Sequence, residues 1–287
     1  MLKFKTEGCC YSEERALFSS TDLWVDNCDF KDGESPLKES KNIKVTRSSF
    51  AWKYPMWYCT DVEVDNVTIK ETARSGIWYT NNLEMRNSLI LAPKTFRRCE
   101  NIKLEEVQII HAEETIWKCD GVKLFRVKAR GDYLGFNSKN VEVDGLYLEG
   151  NYLFDGGENI VVRNSTLFSK DSFWNCKNVT IINSSIIGEY IGWNSENVTL
   201  INCVVESHQG FCYMKGVKLI NCKVINSDLT FEYSRDIDAD IITEVDSIKN
   251  PYSGVIKCKD VKTLILDEKF VDRSKIKVLV DKKDEEV

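Results

Sequence analysis

The sequence predicts an all-β fold, a single-stranded right-handed parallel β-helix of about 12–13 coils with 19–20 residues per coil. Three observations predict this solenoid. A small polar residue or glycine followed by an aliphatic residue recurs at a nearly constant spacing. Apolar residues stand at fixed offsets from that position, and the remainder of each repeat alternates without a helical stripe.

The repeat is defined by an Asn, Asp or Gly that precedes Ile, Val or Leu, and we call its position zero. Successive zero positions are 19–21 residues apart, and the last one follows a longer coil. They are Asp22, Asn42, Asp61, Asn82, Asn101, Gly121, Asn140, Asn159, Asn178, Asn197, Gly216, Asp236 and Asp260. A period this regular predicts a solenoid.

Two strands and a turn follow each zero position. Aliphatic residues stand one and three residues after zero, as in Val198 and Leu200, and predict a strand with one buried face. An Asn recurs five after zero, as in Asn202, and predicts a left-handed turn with stacked amides. An apolar residue eight after zero, as in Val205, predicts the second strand.

A third strand is predicted just before each zero position. Large rings four before zero alternate with small residues two before zero, and this predicts an inward face. The rings are Trp57, Trp78, Trp117, Phe136, Trp174 and Trp193, and the small residues include Cys59, Cys99, Cys119, Cys176 and Ser195. If alternation holds, the residues seven, five and three before zero form an outward strip of aromatic and amide side chains.

Composition excludes several functions. The net charge of −6 and the absence of a basic face argue against a nucleic-acid partner. No segment has the 18 apolar residues of a membrane span, and no export signal is evident, so a cytoplasmic location is expected. The 11 cysteines include no CxxC pair, and the two histidines are far apart, so packed free thiols, no metal and no cofactor are predicted.

The outward strip is the predicted functional surface, and one interpretation is a glycan groove. Its candidate binding residues are Tyr133, Tyr152, Phe154, Phe173, Asn175, Tyr190 and Asn194. The alternative is a structural or self-associating module, in which the strip forms a homodimer interface or is covered by the N-terminal segment. The candidate partners are therefore an oligosaccharide or a second copy of the chain.

The sequence leaves open whether the protein is an enzyme; a carbohydrate-active hydrolase or lyase would be expected if it is. Glycoside hydrolysis uses two carboxylates about 5–10 Å apart. Asp132, Asp155, Asp171 and Glu189 are the candidate acids on this side. Asp155 replaces a ring of the predicted inward column, which would strain the coil or bury the carboxylate.

The chain divides into three predicted regions. Residues 1–20 form an N-terminal cap, residues 21–261 the β-helix, and residues 262–287 a C-terminal cap with a charged tail. Because the ends of a parallel helix expose unpaired backbone, capping segments are expected there.

Several sequence runs resemble an uncharacterised bacterial family, a domain of unknown function with the pectin-lyase-like right-handed β-helix. The runs are ERALF at 14–18, DGESPLKES at 32–40, YPMW at 54–57, GIWYT at 76–80, SFWNC at 172–176 and SIKNPYSG at 247–254. The resemblance implies a bacterial cytoplasmic β-helix and brings no catalytic residues with it. The wider superfamily consists largely of polysaccharide lyases, hydrolases and esterases, which links this chain to carbohydrates by fold analogy only.

Overall fold

The computed structural model describes residues 2–281 and shows two compact units, one ending at Glu149 and one beginning at Gly150. Each unit is built from short strands that pair in parallel with the equivalent strand one coil away. This confirms the predicted all-β parallel solenoid. Within the described residues, the only helix is a 3₁₀ turn at Arg273–Lys275, and no helix is long and apolar enough to cross a bilayer.

The first unit has eighteen strands among its described residues. They are β1 Phe4–Glu7, β2 Cys10–Tyr11, β3 Thr21–Asp26, β4 Asp29–Phe30, β5 Lys41–Thr46, β6 Ser49–Phe50, β7 Thr60–Asp65, β8 Thr68–Ile69, β9 Ile77–Trp78, β10 Asn81–Arg86, β11 Leu89–Ile90, β12 Phe96–Arg97, β13 Glu100–Glu105, β14 Gln108–Ile109, β15 Asp120–Phe125, β16 Lys128–Arg130, β17 Lys139–Asp144 and β18 Tyr147–Glu149. Eight of these strands, beginning with β1, β3 and β5, form the long sheet of this unit.

The second unit continues with the strands β19 to β30, all within the described residues. They are β19 Glu158–Arg163, β20 Thr166–Phe168, β21 Lys177–Ile182, β22 Ser185–Ile187, β23 Glu196–Ile201, β24 Val204–Glu206, β25 Lys215–Ile225, β26 Arg235–Ile241, β27 Glu244–Lys249, β28 Gly254–Cys258, β29 Asp260–Ile265 and β30 Ile276–Val280. Seven of them form its long sheet, and β27 pairs separately with β29.

The core consists of aliphatic columns that run from coil to coil. Val179 lies opposite Val198, and Ile181 lies opposite Leu200, and all four side chains are buried. The predicted turn follows, because Asn202 has a positive φ of 53° and its Nδ2 donates to Asn183 Oδ1 at 3.2 Å. Burial of branched side chains on one face therefore fixes the register, as the repeat predicted.

The third segment of each coil differs from its prediction. In the described part of the first unit, only β9 and β12 pair there as strands. In other coils alternate residues are left-handed, as at Asp171 (φ 56°), Phe173 (φ 57°) and Asn175 (φ 53°). A left-handed residue interrupts the pleat, so the strict inward–outward alternation of a β-strand does not apply.

The orientation predicted for this segment is therefore wrong at two offsets. The residues five before zero, predicted to face outward, are buried; they include Met56, Ile77, Phe96, Ile116, Phe154, Phe173, Phe211 and Phe231. The rings four before zero, predicted to face inward, are half-buried on the outer surface. The small residues two before zero are buried as predicted, including Cys59 and Cys176.

The coil series also extends beyond its predicted limits. Eight long-sheet strands in the first unit and seven in the second exceed the predicted 12–13 coils. Parallel pairing includes Phe4–Glu7 and Ile276–Val280, which lie in the predicted terminal caps. Asp260 is not a zero position, because Gly254 pairs with Ile237 in the long sheet. The domain boundaries stay predictions, and residues 282–287 of the predicted tail lie outside the described residues.

All eleven cysteines have free thiols, and nine of them are buried. The two exceptions are Cys9, which is partly exposed, and Cys10, which is exposed. The buried thiols pack among the apolar columns, as at Cys176, where burial raises the pKa to about 12. A thiol held neutral in this way behaves as a small apolar group.

Candidate functional site

An interrupted column of rings lies on the outer surface of the second unit, four residues before each zero position. Trp174 and Trp193 follow each other in adjacent coils, with ring centroids 5.4 Å apart and planes inclined at 66°. In the next coil this offset holds Cys212, which is buried. Tyr213 takes up the position instead, and its ring stacks on Trp193 at 5.3 Å with planes 4° apart.

The inclined rings leave a concave pocket of about 370 Å³ between them. It is lined by Trp174, Asn175, Trp193, Asn194 and Tyr213, and we call it the tryptophan notch. Three aromatic rings and two amides therefore meet in one depression, and none of the lining side chains carries a charge at neutral pH.

An amide ladder runs along one side of the tryptophan notch. Asn194 Nδ2 donates to Asn175 Oδ1 at 2.9 Å, and Asn175 Nδ2 donates to Asp155 Oδ1 at 2.9 Å. Both Asn residues are exposed and left-handed, a conformation that Asn tolerates better than most residues. Each amide retains one N–H beyond this ladder, which can donate to a ligand hydroxyl.

The tryptophan rings are held by their edges. Trp174 Nε1 donates to the carbonyl oxygen of Tyr190 at 2.6 Å, in the next coil. The Tyr190 ring then packs against Trp193 at 5.4 Å and against His208 at 5.6 Å. Because the polar edge of Trp174 is satisfied by backbone, the remainder of the ring supplies an apolar surface of fixed orientation.

The four candidate acids have different surroundings. Asp132 lies in the first unit and is partly exposed, and the other three lie in the second. Glu189 forms an ion pair with Lys170 at 3.0 Å. Asp155 accepts the hydrogen bond from Asn175 and is partly exposed, so the prediction that it occupies an inward column is wrong.

Asp171 is the one buried carboxylate among these candidates, with 2% of its surface exposed. Its Oδ1 atom is buried without a hydrogen-bond partner. Burial raises the pKa of Asp171 against the opposing effects of Lys170 and a Tyr152 hydrogen bond. The nearby Glu189 and Asp155 carboxylates raise it further.

The candidate binding residues separate into three groups. Asn175 and Asn194 line the notch, and Tyr190 lies beside it. Tyr152 is half-buried with its ring 5.9 Å from that of Trp174, and Tyr133 belongs to the first unit. Phe154 and Phe173 are buried, with 0% and 1% exposure, and face the core rather than a ligand.

Sequence reasoning missed the rings that form the notch. The sequence predicts Trp174 and Trp193 to face the core, because large rings there alternate with small residues. Tyr213 stood in the predicted outward column but was not selected. The sequence does contain a signal, because Trp is followed by Asn at 174–175 and again at 193–194. An amide that is exposed places the neighbouring ring at the outer surface as well.

The sequence analysis also does not predict the pairing of His208 with Asp228, which both stand eight residues before a zero position. His208 Nδ1 is 2.7 Å from Asp228 Oδ1, one coil away. His208 also lines a pocket of about 260 Å³ with Glu189 and Glu206. Residues 2–281 contain no cluster of three or more His, Cys, Asp or Glu side chains able to hold a metal ion.

The column at the same offset in the first unit is continuous, and we call it the closed column. Trp57 stacks on Trp78 at 5.0 Å with planes 8° apart. The Arg97 guanidinium takes the next place, 4.7 Å from the Trp78 ring and 5.0 Å from the Trp117 ring. Phe136 then packs against Trp117 at 4.2 Å. The same repeat offset thus forms an uninterrupted stack here and a depression in the second unit.

Comparison with known proteins identifies a family profile that spans most of the chain. The profile is described as "Protein of unknown function (DUF3737)" and matches residues 5–279. No curated protein matches the chain by sequence.

Solved structures show distant likenesses. PfbA, a surface adhesin of Streptococcus pneumoniae, is 11% identical with a TM-score of 0.39, and the match covers 96% of this chain and 83% of that one. The A-module of the Azotobacter vinelandii mannuronan C-5 epimerase AlgE4 is 8% identical with a TM-score of 0.33, covering 92% and 89%.

Proposed function

The chain belongs to the DUF3737 family, whose function is unknown, and we propose that it binds a neutral oligosaccharide at the tryptophan notch of its second unit. The observation that supports this proposal is the meeting of three rings and two exposed amides in one uncharged depression. Aromatic faces pack against the apolar faces of sugar rings, and amides exchange hydrogen bonds with sugar hydroxyls.

The size of the notch fits a short segment of such a ligand. At about 370 Å³ it lies at the lower end of the range of roughly 300–1,000 Å³ that small-molecule pockets occupy. A mostly apolar lining with a few convergent polar groups is also typical of such pockets. Asn175 and Asn194 on one side of the notch are exposed, so a longer oligosaccharide would continue along the amide ladder.

The proposal is restricted to binding because none of the candidate acids of this unit lines the notch. Glu189 is paired with Lys170, Asp155 accepts from Asn175, and Asp171 is buried. A glycosidase requires an acid and a base that both reach the scissile bond. A ligand in the notch meets rings and amides instead.

Binding is tested with a panel of neutral hexasaccharides, namely the β-1,4-glucan, α-1,4-glucan, β-1,3-glucan and β-1,4-xylan series. Isothermal titration calorimetry and saturation-transfer NMR measure binding to the full chain. We expect one series to bind and Trp193→Ala to weaken that binding at least tenfold. Trp78→Ala, in the closed column of the first unit, is the matched control and should leave the affinity unchanged.

Three outcomes would overturn the proposal. The first is that no series binds at millimolar concentration, and the second is that Trp193→Ala binds as tightly as the parent. The third is self-association through the same rings, in which sedimentation velocity shows a dimer that Trp193→Ala converts to a monomer. Shortening of the hexasaccharide by the parent chain, abolished in Asp171→Asn, would replace binding with catalysis.

A further inference from the structure

Two cysteines occupy equivalent positions in the first two coils of the first unit. The strand Cys10–Tyr11 pairs in parallel with Asp29–Phe30, and Cys10 lies opposite Asp29. The residues just before these partners, Cys9 and Cys28, are therefore stacked neighbours. The Asp29 amide donates to the Cys9 carbonyl oxygen at 2.9 Å, which fixes their spacing. Adjacent strands lie about 4.8 Å apart, within the Cα separation of about 4.4–6.8 Å that disulfides accept.

The two sulfur atoms both lie beside Thr6. The Thr6 hydroxyl donates to Cys9 Sγ at 3.2 Å, and Cys28 Sγ lies 3.9 Å from the Thr6 carbonyl oxygen. Thr6 also bonds the Tyr11 hydroxyl at 2.6 Å, so the residue that contacts both thiols is itself held in place. The two sulfur atoms therefore point to the same side of their adjacent coils.

Access to the two thiols is unequal. Cys9 is partly exposed, whereas only 2% of Cys28 is exposed. Hydrogen bonds from Thr6 and Tyr11, with a smaller one from Cys28, lower the pKa of the Cys9 thiol. Burial raises the pKa of Cys28. Since the thiolate is the nucleophile, Cys9 is the thiol that meets an external reagent first.

We propose that Cys9 and Cys28 form a thiol–disulfide exchange site that takes low-molecular-weight disulfides and closes to an intramolecular disulfide. The Cys9 thiolate attacks one sulfur of the reagent, forming a mixed disulfide and expelling one thiolate. Cys28 then loses its proton to solvent and attacks the Cys9 sulfur, which expels the second thiolate. The two protein thiols are oxidised, and the reagent is reduced to two thiols.

The remaining cysteines distinguish this site from general thiol oxidation. Cys10 is more exposed than Cys9, but its neighbour in the next coil is Asp29, so it can form only a mixed disulfide. Cys99 and Cys119 are buried in adjacent coils, as are Cys203 and Cys222. Only the Cys9–Cys28 pair, among the described residues, combines a stacked partner with access from solvent.

The test exposes the native full chain to oxidised glutathione and follows it by intact mass and peptide mapping. We expect the parent to yield a peptide linked through Cys9 and Cys28, with the loss of two hydrogen atoms, and the exposed Cys10 to carry at most one glutathione. Cys28→Ser should instead accumulate glutathione on Cys9, because the second step is blocked. Cys9→Ser should prevent the linkage, and Cys10→Ser, the matched control, should retain it.

The disulfide should also raise the melting temperature, because it joins the first coil to the second. A stable glutathione adduct on Cys9 in the parent chain would overturn the proposal, and so would a Cys10–Cys28 linkage in Cys9→Ser that is as complete as the linkage in the parent. If Cys28→Ser does not fold, Cys28→Ala provides the same block with an apolar side chain. Thermal melts of the reduced variants establish that each is folded before oxidation.

Discussion

The two units place different groups at the same repeat offset on their outer surfaces. In the first unit a planar group stands four before zero in five successive coils, Trp57, Trp78, Arg97, Trp117 and Phe136, and the stack is continuous. In the second unit only Trp174 and Trp193 are rings at this offset, and the next residue, Cys212, is buried. A ladder of planar side chains closes a surface, and its interruption opens a pocket.

Arg97 shows what the closed stack requires. Its guanidinium is planar and lies about as far from each neighbouring indole as the Trp57 and Trp78 rings lie from each other. Arginine stacks on aromatic faces because its charge is delocalised and weakly hydrated. Glu114 balances the charge at 3.0 Å. A planar cation can therefore replace a ring without breaking the column.

The largest expected effect tests the buried column that lies beneath the surface of the second unit. Phe173→Ala removes a ring that is 1% exposed, and we expect it to lower the free energy of unfolding by about 3–5 kcal/mol. Trp174→Ala, its half-buried neighbour, should cost less than half as much. Urea denaturation followed by circular dichroism measures both. Equal costs would contradict the inward orientation of Phe173.

The two units also differ at the left-handed turn, which lies five residues after each zero position. The second unit has a continuous amide ladder there, in which Asn221 donates to Asn202 at 2.8 Å and Asn202 donates to Asn183 at 3.2 Å. We expect Asn202→Ala to cost about 1–2 kcal/mol, because alanine tolerates positive φ poorly and both hydrogen bonds are lost. Asn202→Gly removes the same bonds without the strain. Urea denaturation should rank it as the less harmful variant.

In two successive coils of the first unit, charged residues replace Asn at that same turn. Arg126 bonds Glu106 one coil away, and both residues have positive φ. The pair is exposed to solvent, which weakens such an interaction. We therefore expect Arg126→Asn to be neutral or stabilising in the same urea assay. A loss as large as that of Asn202→Ala would show that the ion pair and the amide ladder are equivalent.

Another prediction concerns Arg97, the planar cation in the closed column of the first unit. Arg97→Ala removes the planar group between Trp78 and Trp117, and we expect a loss of about 1–2 kcal/mol with greater access of acrylamide to the indoles. Arg97→Lys keeps the charge but not the planar fork, so it should restore only part of the protection. Tryptophan quenching measures the access. Full protection by lysine would reduce the role of Arg97 to its charge.

The last prediction is a pH dependence of opposite sign for two buried carboxylates. Hydrogen bonds from Arg47 and Thr46 lower the pKa of Asp26, in the first unit, to about 2. Asp26 therefore adds stability above its unfolded pKa of about 3.9 and loses it as the pH falls toward 2. Burial raises the pKa of Asp171, so its stabilising form is the protonated one, which is lost as the pH rises through the folded pKa.

Melting temperatures of Asp26→Asn and Asp171→Asn between pH 2 and about 7 check these signs. Asp26→Asn should be less stable than the parent at neutral pH, with the difference vanishing in acid. Asp171→Asn should be more stable than the parent at neutral pH and lose that advantage in acid. Parallel profiles for the two variants would contradict the contrast between a carboxylate paired with arginine and a carboxylate whose pKa is raised by burial.

The candidate site could be predicted only in part. Asn175 and Asn194 follow from the repeat because an amide at that offset favours an outer turn. A period of two predicts Phe154 and Phe173 outside and Trp174 and Trp193 inside, but these residues do not lie in a strand. Burial of Asp171 could not be predicted either, since a surface-type residue in a column of tyrosines gives no local signal of its depth.

The sequence by itself determined the solenoid, its register and its turns. Aliphatic side chains that must be buried and Asn residues that accept positive φ act within a few positions of each other, so their spacing is readable along the chain. The tertiary structure decided which side of the third segment faces solvent. Left-handed residues there are stabilised by hydrogen bonds to neighbouring coils, and the notch exists only because three coils are stacked; neither is a property of any single repeat.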